Sequence, residues 1–334
     1  MLRLPPVAVL RPRSLPEALA TLSCLPEPLI LGGGTDLLVA LKQGHGARSG
    51  GLLRLLSLGD LPLADLREEE GGWTLGAGVT LWDLERWHPP GPLSVISDAA
   101  RQIAAPPIRS RATLGGNLCL DTRCFHYNQS TFWRSSRPAC FKAGGEVCHV
   151  APGGNRCFAC HQADLPPVLI ALGATACLQN SQAARTAPVE ALYTGTGKTP
   201  LALARGELVT AVSIPRPPPR SGASWEKIRM RKGLDFAVAS AAAYVETAPD
   251  GSCRLARVVL GAVGPGPLRV AEAEDAVRGR PLGADLLETV ADAARRTARP
   301  MKNGDLPPAY RRQVAGVAAK RAVEKAWQLA SAPR

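Results

Sequence analysis

Pro28-Leu29-Ile30-Leu31-Gly32-Gly33-Gly34-Thr35-Asp36 is the stretch on which the fold turns. Its leading residues predict a short buried strand, and the apolar stretch from Leu37 to Leu41 predicts a helix beyond the glycines. Three consecutive glycines let backbone N–H groups approach a phosphate closely, and the positive end of the following helix favours that anion. Position 37 is Leu where a Rossmann fingerprint needs its third glycine, and no P-loop Gly-Lys-Ser/Thr follows this run. Taken alone, the run reads equally as a tight turn and as a phosphate site.

A second glycine run, Thr113-Leu114-Gly115-Gly116-Asn117, follows about 80 residues later, behind Pro106-Pro107-Ile108-Arg109. Two separated glycine loops can clamp the pyrophosphate of a dinucleotide from both sides. On physical grounds a clamp and a pair of ordinary turns stand even.

Directly behind the second run the composition changes. Residues 119–161 hold six of the nine cysteines, four of the five phenylalanines and three of the five histidines. Thiolates gathered among shielding aromatics suggest a metal or iron–sulfur site. Between Cys124, Cys140, Cys148 and Cys157 the intervening gaps are 15, 7 and 8 residues, and Cys157-Phe158-Ala159-Cys160 is the only CxxC. Structural zinc favours paired CxxC ligands, and ferredoxins have other spacings. The chemistry ranks iron–sulfur ahead of zinc and ahead of inert thiols. His126, His149 and His161 read as surface groups or as donors behind the ligands. Cys24, Cys177 and Cys253, isolated among apolar neighbours, read as core.

The bulk numbers set bounds. At 334 residues the chain suits two or three domains. Cysteines clustered in a large chain with no apolar leader at Met1-Leu2-Arg3-Leu4-Pro5-Pro6 point to a cytoplasmic metal or redox site rather than disulfides. No apolar run is long enough to span a bilayer. The net charge of +12 invites nucleic acid, but Lys and Arg are scattered and no aromatic ladder offers to stack bases. A basic face for an acidic electron carrier or a sister subunit is the better reading. Between Thr122 and Cys160, Arg123, Arg134, Arg137, Lys142 and Arg156 stand against Glu146 alone.

Ser14-Leu15-Pro16-Glu17 is a capping box for a helix to about Ser23. Trp73 to Gly78 predicts a strand and turn, with Thr80 capping a helix that carries Leu81 and Leu84. Pro167 to Leu178 resumes regular structure. Pro215, Pro217, Pro218 and Pro219 mark a domain boundary. Beyond it, Trp225–Lys232, Ala239–Val245 and Ala256–Ala262 read as a strand meander, followed by helices over about 283–297 and 309–330. That order makes an α+β domain.

Leu31 to Asp36, Thr113 to Asn117, Ala163-Asp164-Leu165, Lys227 to Ala237 and Gly261-Ala262-Val263-Gly264-Pro265, in this order, resemble the flavoprotein (medium) subunits of the xanthine dehydrogenase and carbon monoxide dehydrogenase family. The resemblance spans essentially the whole chain. It implies an FAD-binding region of two α/β subdomains (PCMH-type) over 1–214, divided at about 55, with an insertion at about 119–161, and an α+β domain over 220–334. Most members lack the cysteine loop. The branch that carries it resembles the 4-hydroxybenzoyl-CoA reductases, whose flavin subunit holds an extra [4Fe–4S] cluster. Cys124, Cys140, Cys148 and Cys157 match those ligands in order and spacing, within Arg123-Cys124, Tyr127-Asn128-Gln129 and Phe132-Trp133-Arg134-Ser135. Cys119 and Cys160 are additional, and Cys160 competes as a ligand.

Carried over by position, the resemblance implies that Leu29, Ile30, Leu31, Gly32, Gly33, Gly34, Thr35 and Asp36, with Thr113, Gly115, Gly116 and Asn117, hold the FAD pyrophosphate and ribityl chain. Asp164 and Lys227 are polar contacts to the cofactor, and Ile103 and Val209 lie near its rings. The assembly that the resemblance implies is a doubled heterotrimer, with two [2Fe–2S] clusters and molybdopterin on partner subunits and ferredoxin as electron donor. This chain itself breaks no substrate bond. The rival readings are a related hydroxylase acting on another aromatic or heterocyclic substrate, and a zinc-bearing scaffold with empty glycine loops.

Overall fold

The computed structural model describes residues 3–26, 28–45, 52–302 and 306–332; Met1 and Leu2 of the N-terminal reading lie outside it. The first unit is β1 (Val7–Leu10), α1 (Leu15–Cys24), β2 (Leu29–Leu31), α2 (Leu37–Lys42) and β3 (Leu53–Ser57). Its strands form a parallel sheet in the order β1-β3-β2. Ser14 caps α1 by accepting from Glu17 N, and the Glu17 carboxylate reaches back to Arg13 N at 2.7 Å. β3 sits between two partners, so the first sheet continues to Ser57, past position 55. β2 is an edge strand, and Ile30 at its centre is 36% exposed where burial was expected.

The second unit contains β4 (Leu66–Glu69), β5 (Gly72–Gly76), α3 (Leu81–Arg86), α4 (Ser94–Arg101), α5 (Pro106–Arg109), α6 (Leu114–Leu118), α7 (Thr131–Ser135), α8 (Leu165–Ala171), β6 (Thr175–Gln179), β7 (Ala184–Pro188) and β8 (Leu208–Pro215). The strands form an antiparallel sheet, β4-β5-β8-β6-β7. Thr80 and Asp83 close a full capping box on α3. One core joins Leu75, Leu84, Ile96, Leu118, Leu169 and Val212, and it continues into Trp225 and Tyr244 of the next unit.

That third unit is β9 (Ser221–Ile228), β10 (Ala239–Thr247), β11 (Cys253–Gly261), β12 (Leu268–Arg269), α9 (Ala271–Val277), α10 (Ala284–Thr297) and α11 (Pro308–Ser331). The sheet is a meander, β12-β11-β10-β9. β10 is buried at every residue, because one face meets the second unit and the other meets α11. Small residues allow that close approach: a Cβ on Gly222 would lie 2.1 Å from Ala326 O. Alanines 315, 318, 319, 322 and 326 of α11 are sealed in the same layer. Arg311 anchors the helix, donating from Nε to Val238 O and from Nη1 to Met301 O. The three units therefore pack through shared cores rather than hanging on linkers.

Among the described residues, no helix is long and apolar enough to cross a membrane. Of the cysteines read as core, only Cys253 is buried. Cys24 is exposed at the end of α1, and Cys177 is half-buried where β6 turns one face outward.

Candidate functional site

Between the three units lies a cleft of about 1190 Å³, larger than the roughly 300–1,000 Å³ typical of drug-sized ligands. The two glycine loops face each other across it. Gly33 has no room for a side chain, since a Cβ there would sit 1.7 Å from Arg111 O. A Cβ on Gly32 would meet Thr113 Oγ1 at 3.0 Å, and Gly34 adopts a left-handed φ of +72°. Backbone thus stands against backbone, leaving N–H groups rather than side chains at the floor. In the second loop Thr113 Oγ1 accepts from Gly116 N at 3.1 Å, and Asn117 Oδ1 accepts from Leu165 N at 3.3 Å. The latter bond ties the loop to the start of α8, where Asp164 enters the cleft.

Leu29, Ile30, Gly32 to Asp36, Ile103, Thr113, Gly115 to Asn117, Asp164, Val209 and Lys227 all line this space. Leu31 does not; its side chain lies beneath Gly34. Lys227 Nζ donates to Asp164 Oδ2 at 2.6 Å and to Gln102 O at 3.2 Å. Burial raises the Asp164 carboxyl above its ordinary range, against the pull of the Lys227 ammonium. Asp36 meets Arg123, which joins the first loop to the root of the cysteine segment. Sequence reasoning missed Arg111, whose carbonyl seats Gly33, and the aromatic Phe236, 55% exposed on the cleft wall. The one available signal for Phe236 was its place within the Lys227 to Ala237 motif.

The cysteine segment is closed at its base by reciprocal bonds, Arg123 N to Cys160 O and Cys160 N to Arg123 O, both 2.7 Å. Inside, Ser130 caps α7 by accepting from Trp133 N, and Phe141 N donates to Val147 O at 3.0 Å. These turns bring Cys124, Cys140, Cys148 and Cys157 to the wall of one small cavity, with Tyr127, Phe141, Lys142 and Ala159 between them. Among the described residues, no three His, Cys, Asp or Glu side chains gather tightly enough to hold one metal ion. The four thiols share the wall of one cavity without the tight grouping that a single zinc ion, ~2.3 Å from each sulfur, needs.

Burial pushes the Cys124 and Cys157 thiols up. Backbone N–H groups of Tyr127 and His126 toward Cys124, and of Ala159 toward Cys157, act in the opposite sense, as does the Lys142 ammonium. Cys140 and Cys148 are only half-buried; N–H donors and one cation beside the two buried thiols suit thiolate ligands. His126 and His149 meet with tilted rings, centroids 5.4 Å apart, at the cavity wall. His161 is buried against Tyr193, with Nε2 unpartnered and its pKa lowered by burial to about 4.

Two expectations need correction. Cys160 does not face the cradle: its thiol donates toward His161 O at 3.7 Å and lies beside Arg311. Cys119 lines the large cleft, and burial pushes its thiol up to about 12. The positive character of the loop is also smaller than its composition suggested. Arg123 pairs with Asp36, and Lys142, with a side chain 5% exposed, donates to Asp121 Oδ1 at 2.7 Å and to Gly197 O at 3.1 Å. Arg134 is half-buried, donating to Gly44 O and facing the Tyr127 ring at 5.2 Å. Arg137 and Arg156 remain at the surface, over Trp133 and Phe158.

The glycine-lined cleft and its buried polar pair make a site of a size and lining suited to a dinucleotide. Residues 5–217 match the FAD binding domain in molybdopterin dehydrogenase, and 225–326 match the CO dehydrogenase flavoprotein C-terminal domain. The chain belongs to this family of FAD-binding (medium) oxidoreductase subunits of the molybdenum hydroxylases. It is 31% identical over 317 residues to the carbon monoxide dehydrogenase medium chain of Afipia carboxidovorans, covering 95% of each chain. It is 31% identical over 279 residues to the aldehyde oxidoreductase FAD-binding subunit of Escherichia coli K12, covering 78% of this chain and 82% of the other. The reconstituted CO dehydrogenase from Oligotropha carboxidovorans superposes with a TM-score of 0.78 at 28% identity, over 97% of this chain and 99% of that one.

Proposed function

We propose that this chain is the flavin and [4Fe–4S] electron-transfer subunit of a molybdenum-containing complex resembling 4-hydroxybenzoyl-CoA reductase. The observation that carries the reading is that Cys124, Cys140, Cys148 and Cys157 line one small cavity. Their order and spacing support a cluster rather than a single zinc ion.

In this reading FAD lies in the cleft, with Gly32 to Asp36 and Thr113 to Asn117 offering backbone N–H groups to its pyrophosphate and ribityl chain. Ile103 and Val209 border its rings. Lys227 and Asp164, already paired with one another, present a fixed polar edge that needs no rearrangement on binding. The bound flavin supplies interconversion of one- and two-electron steps. The four thiolates hold the cluster, while Lys142 and the surrounding N–H groups offset their charge. Partner subunits carry two [2Fe–2S] clusters and the molybdopterin in a doubled heterotrimer. Ferredoxin is the donor, and removal of the phenolic hydroxyl from 4-hydroxybenzoyl-CoA, giving benzoyl-CoA and water, takes place on the molybdenum subunit.

A second reading has its own support. The relatives include subunits named for dehydrogenation of carbon monoxide and for aldehyde oxidation. A hydroxylase that draws electrons outward from another substrate uses the same cleft. Anaerobic purification with flavin, iron and zinc quantified, followed by turnover with 4-hydroxybenzoyl-CoA, tests the proposal. One FAD and about four irons per chain, with benzoyl-CoA formed, is the expected outcome. Flavin without iron overturns the cluster assignment. Flavin and iron without that turnover moves the substrate to the hydroxylase reading.

A further inference from the structure

Tyr127 is the single described residue that lines both the cysteine cavity and the large cleft. Its two ends face different groups. The backbone N–H donates to Cys124 O at 3.1 Å. The ring stacks on His45 at a centroid distance of 5.0 Å, and His45 itself lines the cleft. Arg134 and Lys142 lie 5.2 and 5.3 Å from the ring centroid, so cations as well as His45 hold it in place. His45 is pinned in turn through Nε2 and Gln129 O at 3.2 Å.

We propose that Tyr127 is the positioning residue through which electrons pass between the cysteine-held cluster and the flavin, a role that rests on the function proposed above. The route runs from Cys124 across the turn closed by the Tyr127 N–H to Cys124 O bond, along the Tyr127 side chain, and into the cleft beside His45. Arg123, bonded to Cys124, and Asp121, which accepts from Lys142, also reach the cleft, but no other described residue lines both spaces. One electron crosses at a time: the group on one side loses it and the group on the other gains it. The phenol undergoes no net redox change. What the side chain supplies is a packed, continuous path where its loss would leave a gap.

The test uses the anaerobically purified holo-complex carrying Tyr127→Phe or Tyr127→Leu. Cluster and flavin are quantified, their potentials measured by EPR-monitored titration, and transfer between them timed by rapid-mixing absorbance. Neither variant alters the backbone N–H facing Cys124, so both potentials stay at the wild-type values. Phe keeps the ring, and the transfer rate stays within about twofold; Leu removes it, and the rate falls on the order of tenfold at unchanged potential. A wild-type rate in the Leu variant, with cluster and flavin intact, overturns the inference. Should Leu lose the cluster, His45→Leu decides: it loosens the ring from the cleft side without touching the cradle, slowing transfer if Tyr127 conducts and leaving it unchanged if it does not. Absence of iron from the wild-type complex refutes the cluster itself, a result distinct from failure of the route.

Discussion

Lys227 Nζ stands 2.6 Å from Asp164 Oδ2, with the two side chains 2% and 6% exposed, where the C-terminal sheet meets the residue that follows the cysteine segment. The pair couples the third unit to the second beside the proposed flavin. An uncompensated charge there has no water to turn to.

Removing one partner should therefore cost more than removing both. Lys227→Met and Asp164→Asn are each expected to destabilise the protein by about 3–5 kcal/mol, and the double variant by clearly less than their sum. Chemical denaturation of the four proteins, followed by far-UV circular dichroism, gives the coupling energy. Strict additivity would show that the pair is not coupled.

Gly33 offers a sharper test of the cleft. A methyl at this position collides with Arg111 O, so Gly33→Ala forces the two loops apart by a shift costing about 1–3 kcal/mol. The expected result is a protein that retains its iron but purifies with well under half the wild-type flavin. Full flavin occupancy would mean that the loops do not clamp the cofactor.

The cysteines separate by where they point. Cys148→Ser should lower iron content sharply while FAD remains, because Cys148 lines the cradle. Cys160→Ser should leave iron unchanged, because that thiol faces His161 and Arg311. Iron loss in the second variant would restore Cys160 as a ligand.

Much of this was legible in the sequence because it depends on local chemistry. Ser14 and Thr80 announce their helices through side-chain caps, and the glycine runs announce close backbone approach. The meander and the two long helices of the third unit follow from apolar periodicity. What stayed hidden depends on partners distant in sequence. Arg123 and Lys142 counted as surface charge until Asp36 and Asp121 were found opposite them. Arg111 is an ordinary exposed residue by type, and only its carbonyl matters to Gly33. Tyr127 stands in an aromatic-rich loop in which nothing local distinguishes it from Phe125 or Trp133.

Docking of an acidic electron carrier should act through the arginines left at the surface. Arg137→Glu and Arg156→Glu are expected to slow electron entry at low ionic strength, with the difference from wild type shrinking as salt approaches a Debye length of about 8 Å. Arg134 is unsuitable for this test, since its contacts to Gly44 and Tyr127 make it structural. Stopped-flow reduction by ferredoxin across a salt series is the measurement. Equal rates at every salt concentration would remove this face from the docking surface.

His161 gives the fold a built-in acid sensitivity. Burial against Tyr193 holds its imidazole neutral, with a pKa of about 4 against an ordinary 6.5. The unfolded chain takes up a proton below pH 6.5, whereas the folded chain resists until about pH 4. The unfolded state thus binds more protons across that window, so stability falls as pH drops through it, by up to about 3 kcal/mol from this residue. Above pH 6.5 both states are neutral here and the contribution is flat. His161→Gln keeps a polar side chain but cannot titrate. Its stability relative to wild type should therefore rise between pH 7 and pH 5, although it starts lower from imperfect packing. Denaturant midpoints for both proteins at several pH values check the slope; parallel curves would place the acid-sensitive group elsewhere.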